Sequence, residues 1–392
     1  MQKFKVLKHM TALSVALSAG VASAASFDDA IKNATTTGQF RLGYINVTPD
    51  VAGEKNTSAT AFGGQIKFET AKWNRLQFAI APYFSEKLAM LSGNKANNEL
   101  NTGFLDTNGN SYAYLGEAYV NYAFNNGSLR LGRQQIDSPF INTDDIRMLP
   151  NTFNAVWLNA ALTDNLSIAA GVVNEWAGFD SGDSQNQFKK ASNDGVTALG
   201  ASYKMKAHHT FQGWYYDFNG KYSQYYLDAA YKNGAFHAGL QYSKYNEVKN
   251  SGTAGNVWGV KVGYDIGPVS LAVAVNQGKN GAGKSASLGL GGGSYFASME
   301  EMTIHELQDA MAQVVSLSYA VTDKLSLGFA SGHFEDKGKA NANTNETDLV
   351  ITYTVSDKLD IGFAHVTVDN KAAPADAATN FSRNLARVSY NF

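Results

Sequence analysis

Apolar and polar residues alternate along most of this chain from residue 38 onward. A period of two is typical of β-strands with one apolar and one polar face. The alternating segments are roughly ten residues long, which is about the length that a tilted strand needs to cross a bilayer. The pattern predicts eighteen strands, at residues 38–48, 60–70, 75–85, 112–124, 128–135, 152–163, 165–175, 196–205, 209–217, 222–231, 234–245, 257–265, 268–277, 313–321, 324–333, 346–355, 358–367 and 382–392.

Short and long connections alternate between these strands. The short ones are rich in Asn, Asp and Gly, as at 125–127, and tight hairpin turns favour these residues. The long ones include 86–111 and 278–312. Short turns at one rim and long loops at the other are typical of outer-membrane barrels. We therefore predict an all-β fold, a closed antiparallel transmembrane β-barrel over residues 38–392 with short periplasmic turns and long extracellular loops.

The N-terminal segment has the pattern of an export signal. Three lysines in the first eight residues precede an apolar run at 10–21, and small residues follow it, so we predict a signal peptide at 1–24. Residues 25–37 predict a short periplasmic helix or ordered tail, for which Ser26 is the candidate N-cap. No later segment reaches the roughly 18 consecutive apolar residues of a transmembrane helix. A membrane role therefore requires a closed barrel.

Composition narrows the function further. Cysteine is absent from the 392 residues, which excludes disulfides and thiolate metal sites. Without the signal peptide, 29 basic and 34 acidic side chains remain, a net charge of −5. This charge argues against a nucleic-acid partner, which would require a basic excess. We expect no cofactor.

The large apolar residues of each strand fix which side chains face lipid, because a shift of one residue reverses the whole strand. On the first strand, Leu42 and Tyr44 face outward, which places Arg41 in the lumen. The same argument predicts an inward basic ladder of Arg41, Lys67, Arg75, Arg130, Arg383 and Arg387. Closure joins the last strand to the first, so these residues would share one arc of the wall. A simpler interpretation is that lumenal positions are merely polar and solvated, since an arginine in lipid would cost about 2–4 kcal/mol.

Acidic side chains are more common on the rest of the predicted lumenal face. They are Glu117, Asp228, Asp348 and Asp360, with Lys204 and Lys261 as exceptions. A basic wall that faces acids would produce a transverse field. Such a field orients dipolar solutes and concentrates ions of opposite charge.

A polar stretch after the fifth strand is interrupted by Pro139 and Pro150 and is therefore not a central strand. It contains Gly132-Arg133-Gln134-Gln135, Ser138-Pro139-Phe140, Thr143-Asp144-Asp145-Ile146-Arg147-Met148-Leu149-Pro150 and Thr152-Phe153. This run resembles the third loop of the OprD-type outer-membrane porins, which are eighteen-stranded, substrate-selective bacterial channels. The strand count, the alternating connections and the terminal Phe392, which resembles the assembly signal of bacterial barrels, extend the resemblance over the mature chain.

The resemblance implies a passive channel in the outer membrane of a Gram-negative bacterium, with a third loop at 136–151 that folds inward and narrows the pore. It also implies small carboxylate-bearing solutes, such as amino acids, peptides or organic acids. The residues of the constriction would be Arg133, Asp137, Asp144, Asp145 and Arg147. An alternative for Arg147 is that it pairs with Asp144 or Asp145 and only braces the loop.

The connection 278–312 carries two further features. Its run Gly289–Gly293 lacks the Lys-Ser/Thr pair of a phosphate cradle, so we interpret it as flexible chain. Residues 298–311 predict a capped helix that covers or enters the pore mouth. A metal site of His305, Glu301 and Asp309 is an alternative to a solvated helix face.

Other functions compete with a selective porin. A barrel enzyme of the protease or lipase type would need a nucleophile and an acid–base pair at its rim. The seven histidines have no convincing Ser or Asp partner at a readable spacing, so we do not expect an enzyme. A non-selective general porin would use the same barrel. The expected partners are anionic or zwitterionic solutes and outer-membrane lipid, and a homotrimer stays open.

Overall fold

The computed structural model describes residues 24–392 apart from 52, 183–184, 306, 339–341 and 372–379. The predicted signal peptide lies outside the described residues except for Ala24. Among the described residues, short 3-10 turns occur at Ala89–Leu91 and Phe179–Ser181. The other elements are α1 (Phe27–Lys32), β1 (Thr35–Pro49), β2 (Asn56–Glu69), β3 (Leu76–Lys87), β4 (Asn98–Leu100), β5 (Tyr112–Phe124), β6 (Gly127–Gln134), β7 (Thr152–Ala161), β8 (Leu166–Ala177), β9 (Lys189–Lys190), β10 (Val196–Met205), β11 (His209–Phe218), β12 (Tyr222–Asn233), β13 (Phe236–Glu247), β14 (Gly255–Ile266), β15 (Val269–Lys279), β16 (Ala310–Ala320), β17 (Leu325–Asp336), β18 (Ala342–Ser356), β19 (Leu359–Asn370) and β20 (Phe381–Asn391).

The strands form one closed antiparallel barrel. β1 pairs with β2 on one side and with β20 on the other, where Gly43 lies opposite Arg387. Among the described residues, the eighteen long strands are the eighteen predicted ones, each paired with its neighbours in the chain. The short strands β4 and β9 lie in long connections, where they pair with β2 and β8. None of the described helices is both long and apolar enough to span a membrane.

Several strands are longer than the apolar alternation predicts. β17 continues to Asp336, and β18 starts at Ala342. In these extensions the outward side chains are polar, and His333 Nδ1 lies 2.8 Å from Asn345 Oδ1. Ladder hydrogen bonds do not require lipid, so strand pairing continues past the apolar belt. The period-two apolar pattern marks only the part of each strand that crosses the bilayer.

The outer surface is the apolar belt that the sequence predicts. Leu42 on β1 and Leu240 on β13 are 45% and 60% exposed, although both are large and apolar. Toward the long-loop rim, the outward residue becomes polar, as at Asn46 on β1 and Lys244 on β13. This change on two well-separated strands fits a bilayer boundary below the long-loop rim.

The N-terminal helix prediction is confirmed for α1. The Ser26 side chain accepts a hydrogen bond from the Asp29 backbone N–H, so it caps this helix as predicted. The Phe27 ring packs edge-on against Trp73 and Phe78, at centroid distances of 5.5 and 5.8 Å. α1 therefore lies against the turn end of β3.

One side of the lumen is filled by apolar packing. Buried residues from β7 to β17 form a single cluster with residues of three long connections, including Phe140, Ala191 and Phe296. Glycines on the wall let the bulky rings approach closely. A Cβ on Gly200 would lie 2.3 Å from the indole of Trp214. A second, smaller buried cluster includes Ile45 on β1, Ala364 on β19 and Leu385 on β20. The cavity described below is lined on the wall by residues of β1, β18, β19 and β20.

Candidate functional site in the lumen

Three arginines of the predicted ladder lie together on the inner wall at the barrel closure. Arg41 belongs to β1, while Arg383 and Arg387 are separated by one inward position on β20. Arg41 and Arg383 are buried, and Arg387 is half-buried. We call this group the arginine wall. Alternation along the two paired strands places all three side chains in the lumen, as the sequence predicts.

The connection 135–151, here the inward loop, lies against the arginine wall. Arg41 forms a bidentate pair with Asp145, with Nη1 2.5 Å from Oδ1 and Nη2 bonded to Oδ2. Arg41 Nη1 also donates to the Met148 carbonyl at 3.0 Å. Arg387 Nη1 donates to the carbonyls of Asp145 and Arg147 at 3.1 and 3.0 Å. The wall thus holds the loop through a carboxylate and through its backbone.

The other end of the inward loop is held by the opposite wall. The Tyr216 hydroxyl on β11 accepts a hydrogen bond from the Phe140 N–H at 3.4 Å and donates to Ser138 Oγ at 3.1 Å. The Phe140 ring packs edge-on against Tyr216 and Tyr226. Because β11 and β12 lie across the barrel from β1, the loop extends between opposite walls of the lumen.

A second connection, 280–309, here the second loop, joins the same centre. Its Glu300 Oε2 lies 3.1 Å from Arg383 Nη2, and its Glu301 pairs with Arg383 Nη1. Glu301 Oε1 is also 3.3 Å from Arg147 Nη2. Arg147 therefore forms an ion pair with Glu301, a residue that the bracing alternative did not include. Sequence reasoning missed Glu300 and Glu301 as partners of the wall, because they lie more than 80 residues from Arg383.

Arg147 is a buried cation between the two loops. Its guanidinium lies over the ring of Phe179, 4.6 Å from the ring centroid. Burial and the nearby Arg383 charge lower the pKa of Arg147 from its usual value, while Glu301 and Glu300 oppose this shift. Arginine keeps its proton at neutral pH even so, so the group remains a fixed positive charge.

Two wall carboxylates on β18 accept hydrogen bonds from the backbone of the second loop. Glu346 accepts from the N–H groups of Glu301 at 2.9 Å and Met302 at 2.6 Å. Asp348 accepts from the Glu300 N–H at 3.2 Å. The predicted helix at 298–311 is wrong, because the described residues of 298–309 are irregular and these amides bond to the wall. In a helix that begins at residue 298, the Met302 amide would bond within the helix, whereas here it bonds to Glu346.

The remaining predicted basic residues lie apart from this centre. Lys67 Nζ is 4.0 Å from Glu117 Oε2, and the Arg130 guanidinium lies over the Tyr119 ring at 4.3 Å. The inward position predicted for Arg75 is wrong. Arg75 is exposed, precedes β3 and has a φ of 69°. The tight turn between β2 and β3 needs a left-handed backbone at this position, which takes Arg75 out of the strand alternation.

The other predicted constriction residues have different partners. Arg133 donates to the Leu115 carbonyl at 3.1 Å and lies over the Phe188 ring at 4.3 Å, so these contacts involve no acid of the inward loop. Asp137 accepts from the backbone N–H and hydroxyl of Thr143 at 3.0 and 2.8 Å, which fixes the loop itself. Asp144 has a φ of 27° and lies beside Gly292, where a Cβ would come within 2.6 Å of its carboxylate.

The contacts of two candidate metal ligands show other roles. Glu301 pairs with Arg147 and Arg383, as described above. Asp309 Oδ1 accepts from the Asn280 and Gly281 N–H groups at 2.7 and 3.0 Å. Among the described residues, no group of three or more His, Cys, Asp or Glu side chains has an arrangement suited to a metal ion.

A cavity of about 640 Å³ lies between the arginine wall and the two loops. Arg41 and Arg387 line it from the wall, and Asp145, Glu300 and Glu301 line it from the loops. The predicted lumenal acid Asp360 also contributes to its surface, from β19. Both signs of charge therefore border the same open volume.

Comparisons with known proteins agree with this architecture. The sequence matches the profile of the Gram-negative porin family over residues 11–373. The solved structure of OpdK from Pseudomonas aeruginosa with vanillate is similar with a TM-score of 0.77 and 17% identity, covering 92% of this chain and 99% of that one. The structure of Acinetobacter baumannii OccAB1 is similar with a TM-score of 0.76 and 16% identity, covering 93% of this chain and 97% of that one. The structure of P. aeruginosa OccK9 (OpdG) has a TM-score of 0.78 and 15% identity, covering 93% of this chain and 99% of that one. No curated protein matches the sequence.

Proposed function

Because the chain belongs to the Gram-negative porin family, we propose that it is a charge-selective channel for small carboxylate-bearing solutes. It is an outer-membrane porin, and its fold is that of the OprD-type channels that its sequence resembles. The proposal concerns which solutes pass and which residues select them. Amino acids, peptides and organic acids are the candidate classes, in anionic or zwitterionic form.

The pair between Arg41 and Asp145 carries the proposal. Guanidinium groups bind carboxylates through two parallel hydrogen bonds, and this pair has that geometry next to the cavity. A solute carboxylate has the same chemistry as the Asp145 side chain and can exchange with it at Arg41. Arg387 lies on the same wall, so it offers a second cationic contact. The OpdK structure was determined with vanillate, and vanillate is a carboxylate.

We propose that the inward loop narrows the passage. Its contacts with Arg41 on one wall and Tyr216 on the other support this role. The apolar cluster on the Tyr216 side leaves the cavity on the arginine side, which would bring passing solutes close to charged groups. In a narrow site of low dielectric, such charges raise the local concentration of counter-ions by about 10-fold to 10³-fold.

The alternatives fit the same observations less well. A general porin without selectivity gives no role to the clustered charges at the cavity. The family and the structural neighbours are channels, so a barrel enzyme has no support from the comparisons. Each barrel contains its own passage, so the proposal does not depend on a homotrimer.

Liposome swelling with matched acidic, neutral and basic solutes tests the proposal. We expect the acidic solute to enter fastest, and Arg41→Gln with Arg387→Gln to slow it by roughly tenfold while the neutral solute changes little. Arg75→Gln is the matched control, since Arg75 is an exposed arginine outside the cavity. Equal rates for all three solutes in the unmodified protein would overturn the proposal.

A further inference from the structure

The second loop is held by two carboxylates that lie behind it. Glu346 and Asp348 on β18 are 0% and 3% exposed. Together they accept the N–H groups of three consecutive residues, Glu300, Glu301 and Met302. Hydrogen bonds from N–H groups to a buried carboxylate are stronger than those between neutral groups. The position of this segment is therefore set by the wall and not by a helix.

The same segment presents its own acids to the arginine wall. Glu300 and Glu301 bond to Arg383 on β20, which lies level with Asp348 of β18 across the intervening strand β19. Glu300 and Glu301 line the cavity, whereas Arg383 is 1% exposed and absent from the cavity lining that the described residues form. The two loop acids thus separate the Arg383 charge from the passage.

We propose that Glu346 and Asp348 are positioning residues for charge selectivity. By fixing the backbone at 300–302, they hold Glu300 and Glu301 over Arg383 and so limit how much positive charge a solute meets. This inference rests on the proposed function, because it assumes that the charges at the cavity select the solute. Release of the segment exposes Arg383 and increases the preference for anions.

A positioning role differs from a direct effect of the two wall charges. Glu346 and Asp348 are buried behind the segment and are not among the described residues that line the cavity. The variant Glu346→Asp keeps the charge but shortens the side chain by one methylene, so it cannot hold both N–H groups. Positioning therefore predicts that Glu346→Asp acts like Glu346→Gln. A direct charge effect predicts a change only for Glu346→Gln.

Reversal potentials in planar bilayers under a KCl gradient give the test. We expect Glu346→Gln and Glu346→Asp each to raise the anion-to-cation permeability ratio by about threefold. This is less than the roughly tenfold or greater enrichment of counter-ions in a charged cleft, because only one arginine is exposed. Asp228→Asn is the matched control, because Asp228 is also a buried lumenal acid but lies on β12 and bonds to Tyr226 rather than to the backbone of residues 300–302. A shift with Glu346→Gln and Asp228→Asn but none with Glu346→Asp would overturn the proposal.

A double-mutant cycle examines whether the wall acids act through the loop acids. In a Glu300→Gln/Glu301→Gln background, Glu346→Gln should change the permeability ratio little, because the groups that it positions are already neutral. Fully additive shifts would contradict positioning. Should Glu346→Gln fail to assemble, Asp348→Asn is the second variant for the same cycle, since it loosens only the Glu300 contact.

Thiol labelling separates this inference from the proposed function. The chain has no cysteine, so Thr303→Cys gives a single reporter at a position that is 7% exposed. Glu346→Asp should increase its labelling rate about tenfold, and an unchanged rate would show that the wall acids do not hold the loop. If the loop is released but neither Arg41→Gln nor Glu346→Asp changes ion selectivity, the proposed function fails, and the positioning inference fails with it.

Discussion

The Arg41 guanidinium on β1 and the Asp145 carboxylate of the inward loop form a bidentate pair inside the barrel. The family resemblance implied only that this acid belongs to the constriction of the pore. The pair instead places an internal carboxylate at the site that we propose for solute carboxylates. Asp145 therefore holds the inward loop to the wall and would also compete with solute carboxylates for Arg41.

Asp145→Asn removes that competitor while keeping the shape of the side chain. We expect several-fold faster uptake of an acidic solute, because the Arg41 charge is no longer compensated by Asp145. Breaking a fully buried ion pair costs about 3–5 kcal/mol. Asp145 is a quarter exposed, so we expect a smaller loss of stability. Liposome swelling and the free energy of unfolding measure the two effects.

The matched control for this prediction is Asp137→Asn. Asp137 belongs to the same loop and lines the same cavity, but it accepts hydrogen bonds from Thr143 of the loop itself. Its uptake of the acidic solute should change much less than that of Asp145→Asn. Equal acceleration by both variants would mean that general loop loosening, and not the pair with Arg41, controls the rate.

Tyr216→Phe should loosen the other end of the inward loop. The variant removes the hydroxyl that bonds to the Phe140 N–H and to Ser138 Oγ. A lost hydrogen bond of this kind costs about 1 kcal/mol. We expect more frequent brief closures in single-channel recordings, with an unchanged barrel by circular dichroism. Tyr226→Phe is the control, because its hydroxyl bonds to Asp228 and Gln241 on the wall. Similar closure rates in both variants would contradict the prediction.

Gly200→Ala should reduce barrel stability through a steric clash. The added Cβ would lie 2.3 Å from the indole of Trp214, which packs flat on this part of the wall. Overpacking of this kind costs about 1–3 kcal/mol. Gly213→Ala adds the same methyl group on the adjacent strand, where the nearest atom is Leu227 Cδ2 at 3.3 Å. Thermal denaturation followed by heat-modifiable gel mobility should show a lower midpoint for Gly200→Ala only.

The junction between β15 and the second loop should loosen in acid. The N–H groups of Gly281 and Asn280 lower the pKa of Asp309 below its usual value of about 3.9. A group whose folded-state pKa is lowered stabilises the fold above its unfolded-state pKa, and this contribution disappears as the pH falls through the lower folded-state value. Hydrogen-exchange protection of the Gly281 amide should therefore decrease below about pH 4. In Asp309→Asn this pH dependence should be absent, and its persistence would implicate another group.

The alternation of residues by itself determined the eighteen strands, the closed barrel and the side of each strand that faces lipid. This was possible because lipid constrains every strand locally. Outward residues such as Leu42 and Leu240 must be apolar wherever the strand crosses the bilayer, whatever the rest of the chain does. The same alternation correctly placed Arg41, Arg383 and Arg387 in the lumen. It misplaced Arg75, where a left-handed turn interrupts the strand.

Only the tertiary structure decided which charges meet. Asp145 and Arg41 are 104 residues apart, and Glu300 is 83 residues from Arg383, so no local spacing indicates these pairs. The helix predicted at 298–311 does not form for the same reason, since the amides of residues 300–302 bond instead to Glu346 and Asp348 on the wall. Unlike lipid, the lumen does not impose a periodic apolar pattern on the loops that fold into it. Where the two loops fold depends on side chains from distant strands, which come together only when the barrel closes.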